Sequence, residues 1–204
     1  ARKRVQVAMP DEPIIAGFDV SGGGKAWNVI RFRQGLNGRI KEPIRIPGEH
    51  DPDRSQRVGI CAELLRDRRP GHKIAAMFVD AAFGAAIVVR LRSMGFENVY
   101  EVNNGATSPD PHCLNVRAYT AMKVKEWLLL GSLPDEDNLC EQACLAGYHI
   151  NNAGKLVIES KASIQERGEK SPDDWDAECL TFAMAVNATP QRTVSAPTAV
   201  RSAV

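Results

Sequence analysis

No apolar run in this chain approaches the roughly 20 residues a membrane helix needs, and residues 1–13 lack the apolar core of a secretory signal, being basic and then Pro-rich and acidic. The five cysteines, Cys61, Cys113, Cys140, Cys144 and Cys179, are an odd set without a CxxC pair, so the spacing implies neither a disulfide framework nor a zinc ribbon. A reduced, cytosolic protein without a membrane partner is the expectation. Net charge is nearly absent too: 26 Lys and Arg face 25 Asp and Glu, for +1. Bulk electrostatics therefore make no case for nucleic acid, and any such surface must be local.

What is present is apolar mass: 204 residues at 44% hydrophobic content can bury the core of one domain with a small appendage. Two apolar runs end alike. Ile14-Ile15-Ala16-Gly17-Phe18-Asp19-Val20 leads into Ser21-Gly22-Gly23-Gly24, and Ala75-Ala76-Met77-Phe78-Val79-Asp80 leads into Ala81-Ala82-Phe83-Gly84. Each reads as a buried strand that delivers a carboxylate at a turn. A third acidic group stands in Ser171-Pro172-Asp173-Asp174-Trp175-Asp176-Ala177, where a loop becomes an apolar helix. Any one of these aspartates alone is a turn former or a helix cap; together they can converge on a divalent cation.

Between these points the pattern alternates. Strands are expected at 14–20, 27–33 and 39–47, the last two joined as a hairpin by Gln34-Gly35-Leu36-Asn37-Gly38, giving an antiparallel meander. A helix over 54–68, stopped near Pro70-Gly71, leads to the strand ending at Asp80. A helix over 84–94, capped by Gly95, precedes a strand over 97–102. A loop over 103–112 gives way to a helix over 115–130 closed by Gly131, and Asn151-Asn152-Ala153-Gly154 marks a second hairpin between 145–150 and 155–160. The last helix is expected over 173–186, with Ser171 as N-cap and Pro172 at its first position. Residues 1–13 read as a linker, 14–186 as one domain, and 187–204, without an acidic residue, as a disordered tail.

A meander, a crossover helix and a closing acidic helix describe a ribonuclease H-like mixed α/β sheet, antiparallel and parallel in part, flanked by helices and carrying an added β-hairpin. From about Ile14 to Ala185 the chain resembles the nuclease domain of the large terminase subunit of tailed bacteriophages. The resemblance rests on the GFDVSGGG and FVDAAFGAA turns, Arg90-Leu91 and Gly95, Asn115-Val116-Arg117-Ala118, Gly131-Ser132-Leu133-Pro134, Ile158-Glu159-Ser160-Lys161 and SPDDWDA, in order. It implies a metal-dependent endonuclease that cuts concatemeric viral DNA during packaging in the host cytoplasm. The metal-binding aspartates would be Asp19, Asp80 and Asp176, with Asp173, one turn earlier on the same helix face, as a fourth. The implied partners are double-stranded DNA, an ATPase domain preceding this one, the small terminase subunit and the portal; a start at Ala1 agrees with a cut from a longer protein.

The residue types suit that chemistry on their own. Mg²⁺ and Mn²⁺ prefer oxygen donors, and two such ions about 3.5–4 Å apart can activate a water and stabilise a leaving 3′ oxygen. Asp19 is the expected bridge between the ions. Gly22, Gly23 and Gly24 would let the backbone approach a phosphate, and Lys161 would face the scissile one. Rival assignments are weaker. Ser21 to Lys25 fails as a phosphate-binding loop, because Asp19 stands where its first glycine belongs and Ala26 where Ser or Thr belongs. Cys140, Cys144 and His149, with His112 or Cys113, make a zinc set only on paper, since an i, i+4 cysteine pair reads first as the packing face of a short helix. Arg66, Arg68, Arg69 and Lys73 read as a solvated helix end. Trp175 and Glu178 replace the smaller or apolar residues usual in such acidic helices. A Holliday-junction resolvase of the same fold and a non-catalytic domain that docks to DNA or to a motor are the alternative functions.

Overall fold

The apolar runs that end in Asp19 and Asp80 are continuous rather than alternating, and each forms an interior strand covered on both faces. The computed structural model of the protein describes residues 1–50, 55–69 and 71–187. Residues 51–54, Pro70 and, of the expected tail over 187–204, all but Asn187 lie outside the described residues. Five strands form one sheet in the order β3-β2-β1-β4-β5: Ile14–Asp19 (β1), Trp27–Gln34 (β2), Ile44–Pro47 (β3), Ile74–Asp80 (β4) and Val99–Val102 (β5). β1 pairs antiparallel with β2 and parallel with β4, β2 pairs antiparallel with β3, and β4 parallel with β5, so the expected mixed sheet is what forms.

Strand alternation divides the core. Ala16 and Phe18 join Met77 and Val79 on one face, under Cys61, Ala62 and Leu65 of Ser55–Arg66 (α1) and Ile87, Val88 and Leu91 of Ala81–Ser93 (α2). Ile15, Ala76 and Phe78 point the other way and meet Leu180 of Asp173–Leu180 (α6). The same alternation puts Gly17 and Asp19 on the α6 face. At Gly17 a Cβ would lie 2.1 Å from the Ala177 carbonyl oxygen, so the missing side chain is what lets the acidic helix rest directly on β1.

Several boundaries differ from the sequence expectation. The third strand shrinks to Ile44–Pro47, because residues 36–38 bond elsewhere: Gly38 N–H donates to Ser132 O at 2.8 Å and Ser132 N–H to Leu36 O at 2.9 Å. The tight turn itself forms, Gln34 and Asn37 exchanging backbone bonds at 2.9 and 2.8 Å, and it is stitched to the segment after Val116–Trp127 (α3). α2 begins at Ala81, immediately after Asp80, and ends with Gly95 at φ 91°, the left-handed closure expected there. Asn115 caps α3 by accepting the Ala118 N–H at 3.0 Å.

The second hairpin forms as Tyr148–Ile150 (β6) and Leu156–Ile158 (β7), shorter than expected, after a short helix Asp137–Ala143 (α4). A helix absent from the sequence reading, Lys161–Glu166 (α5), follows at once, with Ser160 capping it through the Ser163 N–H. The acidic helix stops at Leu180 rather than Val186, where Arg33 donates to the Thr181 carbonyl at 2.8 Å and its guanidinium lies 4.0 Å over the Phe182 ring. Its N-cap is Pro172 and not Ser171. Residues 1–13, expected as a linker, lie against the loop after α3, with Arg4 and Gln6 donating to the carbonyls of Leu128, Gly131 and Leu130. Among the described residues no helix is long and apolar enough to cross a membrane.

Candidate metal centre

Parallel pairing of β1 with β4 brings Asp19 and Asp80 to the same edge of the sheet, at the carboxyl ends of adjacent strands. α6 crosses that face and adds Asp173 and Asp176 from its first turn. All four are buried, Asp19 most deeply at 1% exposure. Lys161, at the first position of α5, reaches into their midst. Its Nζ lies 3.0 and 2.9 Å from the two oxygens of Asp19 and 2.9 Å from Asp176 Oδ2.

Each remaining carboxylate has its own partner. Asp80 Oδ1 accepts from Asn104 Nδ2 at 3.0 Å, Asp176 Oδ2 from Arg117 Nη1 at 3.4 Å, and Asp173 Oδ2 from the Trp27 backbone N–H at 2.8 Å. Burial raises Asp19 to about 7, with Lys161 pulling it back and Asp176 and Asp173 adding repulsion. Asp80 is raised chiefly by burial against the opposing pull of Lys161, and Asp173 likewise, with Ser171 and the Trp27 amide opposing. Burial disfavours the Lys161 ammonium, but Asp19 and Asp176 outweigh it and hold its pKa above the ordinary lysine range. The site is a desolvated pocket of negative charge with one cation already in it.

The residues fit a hard divalent ion by that chemistry. The donors are carboxylate oxygens, Asp19 and Asp176 already close on a single positive atom, and the raised pKa of Asp19 marks charge that a protein cation only partly offsets. Among the described residues no three His, Cys, Asp or Glu side chains stand together as a ready metal cage. The Lys161 ammonium lies between Asp19 and Asp176, 2.9 Å from an oxygen of each. Cys140, Cys144, His149, His112 and Cys113 form no metal-ligating group either.

The other expected residues separate. A Cβ at Gly22 would meet the Phe83 ring at 2.7 Å, so that glycine is explained by packing. Gly23 and Gly24, at φ 110° and 65°, have open space around them at the turn after Asp19. Asp174 faces away from the aspartates and is clamped by Arg31 and Arg45. Arg69 pairs with Asp67 at 2.6 Å, and its helix end leads into Ile74, at the far end of β4 from Asp80, about 20 Å away by strand rise. Asn104 was not singled out in the sequence and Arg117 only within a motif; the Asn103-Asn104-Gly105 turn after β5 was the available signal for the first.

A mixed sheet with carboxylates at the ends of two neighbouring parallel strands, closed by an acidic helix, has the ribonuclease H-like architecture. Within it the chain has the fold of large-terminase nuclease domains. It is similar to the nuclease domain of the large terminase subunit gp2 of bacterial virus Sf6, at 15% identity over 86% of this chain and 89% of that one, with a TM-score of 0.60. The large terminase nuclease of thermophilic phage G20c matches at 17% identity over 86% and 84%, TM-score 0.57. The nuclease domain of the Thermus phage P74-26 large terminase matches at 16% over 87% and 82%, TM-score 0.53. A mutant of the Sf6 domain has also been solved with manganese and the G20c domain with magnesium. No protein-family model and no curated protein matches the sequence.

Proposed function

We propose that this chain is a metal-dependent DNA endonuclease, the nuclease domain of a terminase large subunit that cuts concatemeric double-stranded viral DNA in the host cytoplasm during genome packaging. One observation carries the reading: on the fold of terminase nucleases, Lys161 Nζ joins Asp19 and Asp176 at the sheet edge where Asp80 also ends. Asp19, Asp80 and Asp176 would hold two Mg²⁺ or Mn²⁺ ions, with Asp173 adjoining. Bound there, the ions would activate a water and stabilise the leaving 3′ oxygen. Manganese in the Sf6 domain and magnesium in the G20c domain support that choice of ions.

The chain's own residues supply the setting. Burial of Asp19 removes competing water and strengthens its attraction for a cation. Lys161 balances the carboxylates in the resting site and, once displaced from them, has the reach and charge to meet a scissile phosphate. The exposed Gly23-Gly24 turn leaves backbone open to a DNA strand beside Asp19. The ATPase domain, small subunit and portal are the partners this assignment brings.

Cleavage of supercoiled plasmid with Mn²⁺, comparing the wild type with Asp80→Ala, tests the assignment. Nicking and linearisation by the wild type, reduced roughly 100-fold or more in the variant, is the expected result. Equal cleavage by Asp80→Ala would remove Asp80 from the site. Strong preference for a branched junction over linear duplex would move the protein to the resolvases, and no cleavage under any metal would leave a docking domain.

A further inference from the structure

Asn104 and Arg117 stand outside the carboxylate set, yet they reach it from one rigid unit. After β5 the chain turns on Asn103, whose side chain accepts the Gly105 N–H at 2.9 Å and whose carbonyl accepts the Ala106 N–H at 3.0 Å. It then returns so that Val116 N–H donates to Ala106 O at 3.0 Å and Arg117 N–H to Asn104 O at 3.1 Å, beside the Asn115 cap of α3. The backbones of Asn104 and Arg117 are therefore bonded to each other. From this junction Asn104 Nδ2 holds Asp80 Oδ1 at 3.0 Å, while Arg117 Nη1 reaches Asp176 Oδ2 at 3.4 Å. One junction thus grips carboxylates that arrive on different elements, β4 and α6.

Two details favour placement for the site over placement for stability. Arg117 Nε is buried with no hydrogen-bond partner, a cost an arginine fixed only for packing would not be expected to carry. Arg117, Thr120, Trp175, Asp176 and Cys179 also wall a cavity of about 20 Å³, so the guanidinium is not wedged by close packing. At Asp80 the donor is a neutral amide, which orients the carboxylate without placing a positive charge where a cation must enter.

We propose that Asn104 and Arg117 are positioning residues that fix the orientation and separation of Asp80 and Asp176, and with them the spacing of the two cation positions. The inference rests on the metal-dependent nuclease reading. Outer partners of ligating carboxylates are worth about 10–100-fold in metal affinity. Titration calorimetry with Mn²⁺ alone on Asn104→Ala, Arg117→Gln and Arg117→Lys, beside metal-free melting curves, tests it. The Kd for Mn²⁺ is expected to rise about 10–100-fold in Asn104→Ala and Arg117→Gln and less in Arg117→Lys, with metal-free melting near that of the wild type. Their plasmid cleavage should shift to higher Mn²⁺ and recover toward the wild-type plateau at saturation. Wild-type binding with unchanged Kd in folded Asn104→Ala and Arg117→Lys overturns the inference alone. A wild type that binds no Mn²⁺ overturns the metal site and this inference with it.

Discussion

Lys161 Nζ lies 2.9 Å from Asp176 Oδ2 and 2.9 Å from Asp19 Oδ2, so one ammonium ties the end of β1 to the first turn of α6. The sheet delivers the carboxylates, and a lysine from the element after the second hairpin neutralises them. Charge of that sign at that point is what a divalent ion would also supply. A metal bound there would therefore compete with the ammonium for the same oxygens.

Lys161→Ala exposes that competition. Removing the cation leaves Asp19 buried and opposed only by its acidic neighbours, so the metal-free protein should lose about 2 kcal/mol, less than the ~3–5 typical of a fully buried pair because 32% of the lysine side chain meets water. Mn²⁺ should then raise the melting temperature more in the variant than in the wild type. Equal metal-induced shifts in thermal melts of both proteins would show that the ammonium does not compete.

Gly17→Ala tests the seat of the acidic helix. The new Cβ would stand 2.1 Å from Ala177 O and 2.9 Å from Thr181 N, and backbone atoms of a packed helix cannot step aside as a flexible side chain can. A loss of about 3 kcal/mol in urea unfolding is expected, at the top of the usual overpacking range. Because α6 carries Asp173 and Asp176, the fraction that stays folded should also bind Mn²⁺ more weakly. A cost below about 1 kcal/mol would mean the helix can lift off β1 freely.

Glu178 makes stability depend on pH. It is fully buried and neither carboxylate oxygen has a hydrogen-bond partner; burial raises it to about 7, against the pull of Arg31 and Arg33, while Glu136 and Asp174 push it further. The folded state holds this proton more tightly than the unfolded chain, whose value is near 4.5. The contribution is therefore complete below pH 4.5 and is lost as pH rises toward 7. Glu178→Gln should flatten that part of the curve and exceed wild-type stability at pH 8 by on the order of 3 kcal/mol at most. Melting curves in EDTA across pH 4 to 8 decide it: parallel curves for the two proteins would place the ionisable burden elsewhere.

What could be read from sequence and what could not follow from range. Asp19 and Asp80 stand out as candidates because an apolar run that stops at a carboxylate is a local pattern, and Asp176 because it stands in the acidic start of an apolar helix. The partners of these residues join chain segments far apart, 24 positions from Asn104 to Asp80 and 59 from Arg117 to Asp176, and no periodicity encodes that. α5 escaped notice because six residues are too few to show a helical stripe. β3 was overextended because the bonding of Leu36 and Gly38 to Ser132 is invisible in their own composition. Lys161 is expected from the sequence to face a scissile phosphate, and in the structure its Nζ bonds the carboxylates of Asp19 and Asp176.

Asp174 shares the acidic helix with Asp173 and Asp176 but belongs to its foundation. Its carboxylate accepts Arg31 Nε at 3.1 Å, Arg45 Nη2 at 2.7 Å and Asn138 Nδ2 at 3.3 Å, tying α6 to β2, β3 and α4. Arg31 is itself buried, at 2% exposure, and Glu136 is its other carboxylate partner. Asp174→Ala leaves that guanidinium with Glu136 alone, so a loss of about 2–3 kcal/mol and a drop in melting temperature of roughly 5–10 °C are expected. Asp174→Asn, which keeps the shape and one acceptor oxygen, should lose less. Because Asp174 does not face the cation position, cleavage at saturating Mn²⁺ and at a temperature where the variant is folded should stay within a few-fold of the wild type. A folded Asp174→Asn with cleavage as poor as Asp80→Ala would instead put Asp174 in the reaction, and the division of this helix into a catalytic face and an anchoring face would fail.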